Sequence, residues 1–165
     1  MQRIGVLSDT HLRGLATGGA VLEGLVARYF RDAEVILHAG DLVDPDVLLG
    51  LSDRAIYQVR GNLDPPRRNL PQRRILELGG FRIGLIHGWG PADGVADKVI
   101  AAFRGEDLDC LVFGHSHRPC CEHREGVLLF NPGSPTDRRQ APWHSVGLLE
   151  LGTTIEGRII NIDSD

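Results

Sequence analysis

Five short apolar runs in this chain each end in side chains that can bind a metal ion, and this pattern constrains the fold more than any other feature. Apolar residues dominate each run, and the first, Ile4-Gly5-Val6-Leu7, is apolar throughout, which predicts β-strands buried within the fold. The runs cover residues 4–7, 35–37, 55–59, 81–86 and 108–113, and they lead respectively to Asp9 and His11, Asp41, Asn62, His87, and His115 and His117.

Helical patterns lie between several of these runs. Apolar residues recur at helical spacing over residues 19–30 and 91–103. A further helix is predicted to begin with Asp44 as N-cap and Pro45 at its first position. Strands that alternate with helices predict parallel βαβ units. Glycine-containing turns at residues 79–80, 125–126 and 152–153 predict hairpins, so we expect two stacked sheets flanked by helices.

Length and composition restrict the class of protein. A chain of 165 residues with 42% hydrophobic residues predicts one domain over residues 1–165. The net charge of −4 argues against generic binding to nucleic acid. Cys110, Cys120 and Cys121 show neither a disulfide nor a metal-binding spacing, which favours a reducing, cytoplasmic location. A strand that begins by Ile4 leaves no room for a signal peptide, and no apolar stretch reaches membrane-spanning length.

The polar residues at the strand ends predict a metal site. Loops that leave one edge of an open α/β sheet converge, so we expect these side chains to meet. Imidazole, carboxylate and amide ligands without thiolate suit Mn, Fe, Zn, Co or Ni, with manganese as the first candidate. Seven ligands exceed the need of one ion, which predicts two divalent ions, and Asp41 stands between the other groups in chain order, which favours it as the bridge. Two ions about 3.5–4 Å apart can share a hydroxide that attacks phosphorus in line.

The ordered set of motifs resembles the calcineurin-like metallophosphoesterases, and within them the small bacterial and archaeal phosphodiesterases. The motifs are Asp9-x-His11, Gly40-Asp41-x-x-Asp44, Gly61-Asn62, His87-Gly88, Gly114-His115-Ser116-His117 and Asn131-Pro132-Gly133-Ser134. The resemblance implies a four-layer α/β/β/α sandwich of two mixed β-sheets.

The resemblance also implies which residues carry the chemistry. One ion would be held by Asp9, His11, Asp41 and His117, and the other by Asp41, Asn62, His87 and His115. It further implies that Asp41 and Asn62 act in catalysis, and that Asn62 and His87 contact the substrate.

One position departs from the family pattern. Many members follow the asparagine with a histidine that contacts the leaving-group oxygen, and the second aspartate of the Gly-Asp-x-x-Asp motif orients it. Here the residue is Leu63, which cannot donate a proton. Asp44 is therefore expected to act as a helix N-cap, and Asp64 as a turn residue rather than as a replacement acid. Esters with good leaving groups should then react best.

Several other residues have competing interpretations. His38 is expected to pack or to support a ligand rather than to bind metal, and His123 and His144 are expected on the surface. The pairs Arg67/Arg68, Arg73/Arg74 and Arg138/Arg139 are expected to be solvated rather than to attract phosphate. Trp89 could stack on an aromatic leaving group or pack in the core.

The favoured function is hydrolysis of a small-molecule phosphodiester by a dinuclear metal site. A second hypothesis is a phosphomonoesterase that acts on nucleotides or phosphoproteins. A non-catalytic, protein-binding scaffold is a third, because the fold resembles that of the retromer scaffold subunit. The complete ligand set favours catalysis. A homo-oligomer is compatible with the sequence.

Overall fold

The computed structural model describes residues 1–164. Its strands form two five-stranded mixed sheets, as the sequence predicts. The first sheet has the order β10-β9-β1-β2-β3, and the second has the order β4-β5-β6-β8-β7. The strands are β1 (Gln2–Leu7), β2 (Val35–His38), β3 (Ala55–Gln58), β4 (Arg73–Leu78), β5 (Phe81–Ile86), β6 (Cys110–Val112), β7 (Cys120–Arg124), β8 (Val127–Asn131), β9 (Ser145–Leu151) and β10 (Ile155–Asn161).

Each sheet contains three adjacent parallel strands. In the first sheet β1 pairs with β2 and β2 with β3 in parallel, whereas β9 runs antiparallel to both β1 and β10. In the second sheet β5, β6 and β8 are parallel, and β4 and β7 are antiparallel to their neighbours. The parallel strands therefore send their C-terminal loops to a common edge of each sheet.

Two helices cover the outer faces of the sheets. Helix α1 (Ala20–Tyr29) packs through Leu22 and Val26 on the first sheet, and helix α2 (Val95–Ala102) packs through Val95 and Val99 on the second. The inner faces of the two sheets meet in a third apolar cluster, which includes residues of β1, β2, β5, β6, β8 and β9. Each central strand is thus buried on both sides, and the predicted four-layer α/β/β/α sandwich is confirmed.

The helices differ in detail from the prediction. The segment after Asp44 is a 3-10 helix over Pro45–Leu51, and a 3-10 turn over Ala92–Gly94 precedes α2. A π-helical turn over Gly14–Gly19 leads into α1. Glycine-rich residues 14–19 carry no apolar periodicity, so the sequence alone does not reveal this turn.

Substitution of Gly5 in β1 tests the packing of the outer layer. A Cβ built on Gly5 would lie 2.6 Å from Cγ of the buried Phe30 ring, so Gly5→Ala must displace that ring. We expect a loss of about 1–3 kcal/mol in the free energy of unfolding, measured by urea denaturation.

Gly24 provides the matched control within α1. It is exposed, and no heavy atom lies within 4 Å of a Cβ built on it. Gly24→Ala should therefore stabilise the fold by about 0.5–1 kcal/mol, because alanine has the higher helix propensity. Equal effects of the two substitutions would contradict the packing described here.

Candidate metal centre

The loops after β1, β2, β5 and β6 bring the predicted ligands together at one edge of the two sheets. Oδ1 of Asp9 lies 3.4 Å from Nε2 of His117, and Oδ2 of Asp41 lies 3.4 Å from Nε2 of His87. Backbone hydrogen bonds join the loops: Asp9 N donates to Gly40 O, and Gly114 N donates to His87 O, each over 3.0 Å. Residues from both sheets thus form one cluster.

Each aspartate keeps one oxygen occupied and presents the other to the cluster. Oδ2 of Asp9 accepts hydrogen bonds from Ser8 Oγ at 2.7 Å and from the His115 backbone N–H at 2.9 Å. Oδ1 of Asp41 accepts from the Leu63 backbone N–H at 2.8 Å. The remaining oxygen of each carboxylate faces imidazole nitrogens, in the position of a metal ligand.

The histidines are oriented in the same manner. A carbonyl oxygen can only accept, so the ring nitrogen that faces one must carry the proton. His87 donates from Nδ1 to Ala39 O at 2.7 Å, His115 donates from Nε2 to Gly90 O at 2.9 Å, and His117 donates from Nδ1 to Asp137 O. In the neutral form of each ring the second nitrogen has a lone pair directed into the cluster, an arrangement typical of metal-binding histidines.

Asn62 completes the second half of the cluster. Its Oδ1 lies 3.0 Å from Nε2 of His87 and 3.2 Å from Nδ1 of His115. Those two histidine nitrogens are 3.4 Å apart. An amide oxygen and imidazole nitrogens are atoms of the kind that coordinate a divalent cation.

Three buried polar atoms in this cluster have no hydrogen-bond partner: Asp9 Oδ1, His11 Nε2 and His117 Nε2. Buried polar atoms are normally satisfied, so such a group requires an explanation. A cation among them would satisfy all three at once. Within the described residues, two sets of side chains have ligand atoms mutually within 4.8 Å, namely Asp9 with His11 and His117, and Asp9 with Asp41 and His87.

The geometry does not single out one bridging carboxylate. Asp9 belongs to both sets of side chains, whereas Asp41 belongs to one. Asp41 Oδ2 nevertheless lies 3.6 Å from His11 Nε2 as well as 3.4 Å from His87 Nε2. Both carboxylates therefore stand between the two halves of the cluster, and a bridging role for Asp41 stays a prediction.

Charge pairing sets the protonation of the cluster. Burial raises the pKa of Asp9 and Asp41, but contacts with His117 for the first, and with His11 and His87 for the second, reverse the effect and hold the pKa below its usual range. Burial lowers the pKa of His87 and His117, and their carboxylate partners raise it above the usual value. A cation that binds here must displace imidazole protons, so its affinity falls at low pH.

The backbone at the ligands is unusual. Asp9, His11, Asp41, His115 and His117 all adopt positive φ angles, between 48° and 67°. Non-glycine residues rarely adopt this region, and such residues are concentrated at functional sites. Five left-handed residues in one cluster indicate that the loops are shaped to direct these side chains.

Two glycines of the motifs are required by close approach. A Cβ on Gly61 would lie 2.8 Å from Cγ of Asp41 and even closer to that residue's Oδ1 and backbone nitrogen. A Cβ on Gly114 would overlap Ser8 Oγ and lie 2.8 Å from Asp9 Oδ2. These contacts explain why glycine precedes Asn62 and His115.

Asp64 has a structural role that the sequence does not reveal. Its buried carboxylate accepts backbone hydrogen bonds from Asp41, Val43 and Gly61 at 2.7–2.8 Å. It lies in a turn, as expected, with its own N–H donating to Gly61 O. Because its oxygens are engaged with three backbone donors, Asp64 is not placed to replace the missing acid.

Asp137 is a second residue that sequence reasoning missed. Its carbonyl orients His117, and its Oδ2 lies 3.8 Å from Nδ1 of His11. Nearby, Ser134 Oγ donates to Asp9 O at 2.8 Å, and Thr136 Oγ1 donates to Thr10 O at 2.7 Å. The Asn-Pro-Gly-Ser motif is the signal that could have located this loop beside the site.

The remaining candidates lie outside the cluster. His38 is buried and contacts Thr10 Oγ1 at 2.9 Å, and burial lowers its pKa to about 4, so it is a neutral packing residue as expected. Asp44 caps the 3-10 helix by accepting from Asp46 N. His123 is exposed, and half-buried His144 pairs with Asp163 at 2.9 Å. The interpretation that Trp89 packs in the core is wrong, because the residue is 48% exposed.

The arginine pairs do not form a ring around the site. Arg73 and Arg74 donate to the carbonyl oxygens of Ala102 and Gln58, and Arg138 donates to that of Ala141. Arg67 and Arg68 are exposed, as expected. Arg139 lies near the cluster, 3.7 Å from Asp137 Oδ2.

In the described part of the chain, no helix has the length and apolar character needed to cross a membrane.

Metal binding should stabilise the protein, because a cation satisfies the unpartnered atoms of Asp9, His11 and His117. We expect Mn²⁺ or Zn²⁺, added to chelator-stripped protein, to raise the melting temperature. One site gains about 2.7 kcal/mol at a free metal concentration of 100 Kd. Mg²⁺, which prefers oxygen ligands, is the matched control and should have a smaller effect. An unchanged melting temperature with every cation would contradict the site.

Removal of the Asp64 carboxylate should loosen the loops that hold the ligands. Asp64→Ala leaves three backbone N–H groups without their acceptor, and we expect a loss of about 2–4 kcal/mol in urea unfolding of the metal-free protein. Asp53→Ala, at an exposed carboxylate, is the control and should change stability by less than about 0.5 kcal/mol. A similar small change in both variants would show that Asp64 does not support the site.

Two sequence comparisons identify the family of this chain. A domain model of the calcineurin-like phosphoesterase superfamily matches residues 2–154. A probable metallophosphoesterase of Methanocaldococcus jannaschii is 37% identical over 166 residues, which cover 97% of this chain and 81% of the relative.

Solved structures show the same fold. A structure described as a novel archaeal phosphodiesterase superposes with a TM-score of 0.76 at 22% identity, covering 98% of this chain and all of the other. Vps29 of Entamoeba histolytica in complex with Zn²⁺ superposes with a TM-score of 0.66 at 24% identity, covering 97% and 99%. At these identities the structures establish the fold alone. The domain match and the curated relative show that this chain belongs to the calcineurin-like phosphoesterase superfamily, a family of metal-dependent phosphoesterases.

Proposed function

We propose that this protein is a phosphodiesterase that hydrolyses a small-molecule phosphodiester with the aid of two divalent metal ions. The observation that carries the proposal is the set of buried, unpartnered ligand atoms on Asp9, His11 and His117 beside the second cluster of Asn62, His87 and His115. Two cations held by these side chains would supply Lewis acidity and lower the pKa of a water molecule.

The two metal sites are assigned to overlapping side chains. One ion would be held by Asp9, His11, Asp41 and His117, and the other by Asp41, Asn62, His87 and His115. Asp41 supports this assignment because its Oδ2 faces His11 and His87. Manganese remains our first candidate, since the ligands are nitrogen and oxygen atoms without thiolate.

The chain contributes to the reaction by holding and orienting these groups. Asn62 directs its Oδ1 toward His87 and His115, which leaves its Nδ2 group to donate a hydrogen bond to a phosphoryl oxygen. His87 borders the cavity that Asn62 also lines, so it contacts the bound ester. Donors placed in advance at the phosphoryl oxygens stabilise the charge that develops on them.

The leaving group receives little help from this chain. Leu63 is exposed beside Asn62 and carries no titratable group. Asp64 accepts three backbone hydrogen bonds, and His115 donates from Nε2 to Gly90 O, so neither offers a free proton. We therefore infer that esters with good leaving groups, such as aryl diesters, react faster than alkyl diesters.

A non-catalytic scaffold is an alternative function, because neighbours in the fold include Vps29. That Vps29 structure contains Zn²⁺, so metal binding alone does not distinguish an enzyme from a scaffold. Turnover does distinguish them. The phosphomonoesterase reading is separated from the diesterase by the choice of ester.

The decisive measurement is hydrolysis of bis(p-nitrophenyl) phosphate by Mn²⁺-loaded protein, compared with p-nitrophenyl phosphate. We expect kcat/KM to be higher for the diester. Asp41→Asn removes the charge that faces both halves of the cluster. It should therefore lower the metal content of the protein, and turnover should fall with it by at least about 10²-fold. Glu77→Gln, on the exposed edge of β4, is the charge-matched control and should retain activity.

Three results would contradict the proposal. Preference for the monoester would favour a phosphatase, and the absence of turnover with any ester and cation would favour a scaffold. Full activity of Asp41→Asn would exclude its role as a shared ligand.

A further inference from the structure

A cavity of about 430 Å³ adjoins the candidate metal centre on the side of Asn62 and His87. Arg60, Gln72 and Trp89 line it together with those two residues. Its volume lies within the range of cavities that bind small organic ligands. A phosphoester whose phosphoryl group lies against Asn62 and His87 would place a substituent in or beside this cavity.

Trp89 is the unusual member of the lining. Its surface is 48% exposed, although its position directly follows the ligand segment His87-Gly88. A tryptophan that served only the core would be buried, because its large apolar surface is costly to leave in water. The exposed indole is instead available to a flat group that enters the cavity.

The backbone on both sides of the indole is held in place. Gly90 O accepts from His115 Nε2 at 2.9 Å, and Trp89 O accepts from Lys98 Nζ at 3.4 Å. Gly88 and Gly90 have φ angles of 99° and 83°, which only glycine adopts readily. The segment is thus anchored to the metal cluster through His115, so the distance from the indole backbone to the cluster is set by the fold.

We propose that this cavity is a subsite for a planar aromatic group of the substrate, which stacks on the Trp89 indole. Arg60 and Gln72 supply polar contacts at the edge of the bound ring, and Arg60 is itself oriented by its Nε hydrogen bond to Asp64 O at 3.3 Å. The assignment rests on the proposed function and narrows its substrate class to aromatic phosphoesters, either simple aryl esters or nucleotides.

The cavity on the opposite side of His115 has a different character. It has a volume of about 400 Å³ and is lined by Arg118, Arg139 and Gln140 without any tryptophan, tyrosine or phenylalanine. Arg118 already pairs with Asp93 and Gln140. Stacking is therefore assigned to the Trp89 side alone.

The chain contains two tryptophans, Trp89 and Trp143, and Trp143 is not among the residues that line the cavity. Trp143→Phe therefore leaves Trp89 as the single fluorescent indole. We would titrate this Zn²⁺-loaded variant with adenosine 5′-monophosphate, phenyl phosphate and ribose 5-phosphate. All three are phosphate monoesters, and the first two contain an aromatic ring that ribose 5-phosphate lacks.

We expect at least one aromatic probe to quench Trp89 fluorescence and to bind at least about five-fold more tightly than ribose 5-phosphate, because stacking on an aromatic side chain stabilises each bound base. Tighter binding of the nucleotide identifies a nucleobase subsite, and tighter binding of phenyl phosphate identifies an aryl subsite. Equal affinity for all three probes would overturn the inference.

Substitution of Trp89 provides the second measurement. Trp89→Leu should remove the preference for the aromatic probes in calorimetric titrations, whereas Trp89→Phe should retain most of it. With bis(p-nitrophenyl) phosphate, Trp89→Leu should raise KM by at least about five-fold and change kcat little. A KM unchanged in Trp89→Leu would overturn the subsite while turnover by the unmodified protein still supports the phosphodiesterase. Absence of turnover would contradict the proposed function, and the fluorescence titration would still decide the subsite.

Discussion

The structure depends on a balance of charge at one edge of two sheets, where buried aspartates face imidazoles. Asp9 is fully buried, and one of its oxygens accepts two hydrogen bonds while the other has no partner. A buried carboxylate with a free oxygen is costly unless a positive charge compensates it. The neighbouring carboxylates outweigh burial and raise the pKa of His87 and His117, so imidazolium protons supply that charge at low pH, and a divalent cation would supply it when the rings are neutral. The other features of the site serve to hold these groups in position.

That support comes mainly from the backbone. Carbonyl oxygens of Ala39, Gly90 and Asp137 each accept from one ring nitrogen of a histidine, and so direct the other nitrogen into the cluster. Asp64 ties the loops after β2 and β3 through three backbone hydrogen bonds. Five of the seven predicted ligands have a left-handed backbone conformation. This conformation is strained for residues other than glycine, and here it directs the side chains into the cluster. The four-layer sandwich fixes the ends of these loops, because its central strands are packed on both faces.

Much of this could be predicted from residue types and their order. The apolar runs predicted the central strands because a strand that is covered on both faces needs no polar alternation. Some strands are shorter than the apolar runs that predicted them, as for β6 (Cys110–Val112) within residues 108–113. The turn at Gly14–Gly19 and the supporting roles of Asp64 and Asp137 were not predictable, since each depends on contacts with segments that are distant in the chain.

The sequence by itself determined the layered α/β architecture and the set of groups able to bind metal, because hydrophobic periodicity and ligand chemistry are properties of residues and their spacing. Only the tertiary structure decided which atom of each ligand faces the cluster, that Asp9 as well as Asp41 stands between its two halves, and that Trp89 is exposed beside it. Those outcomes depend on hydrogen bonds and packing between loops of both sheets. No local pattern encodes such contacts, because the partners come together only when the two sheets stack.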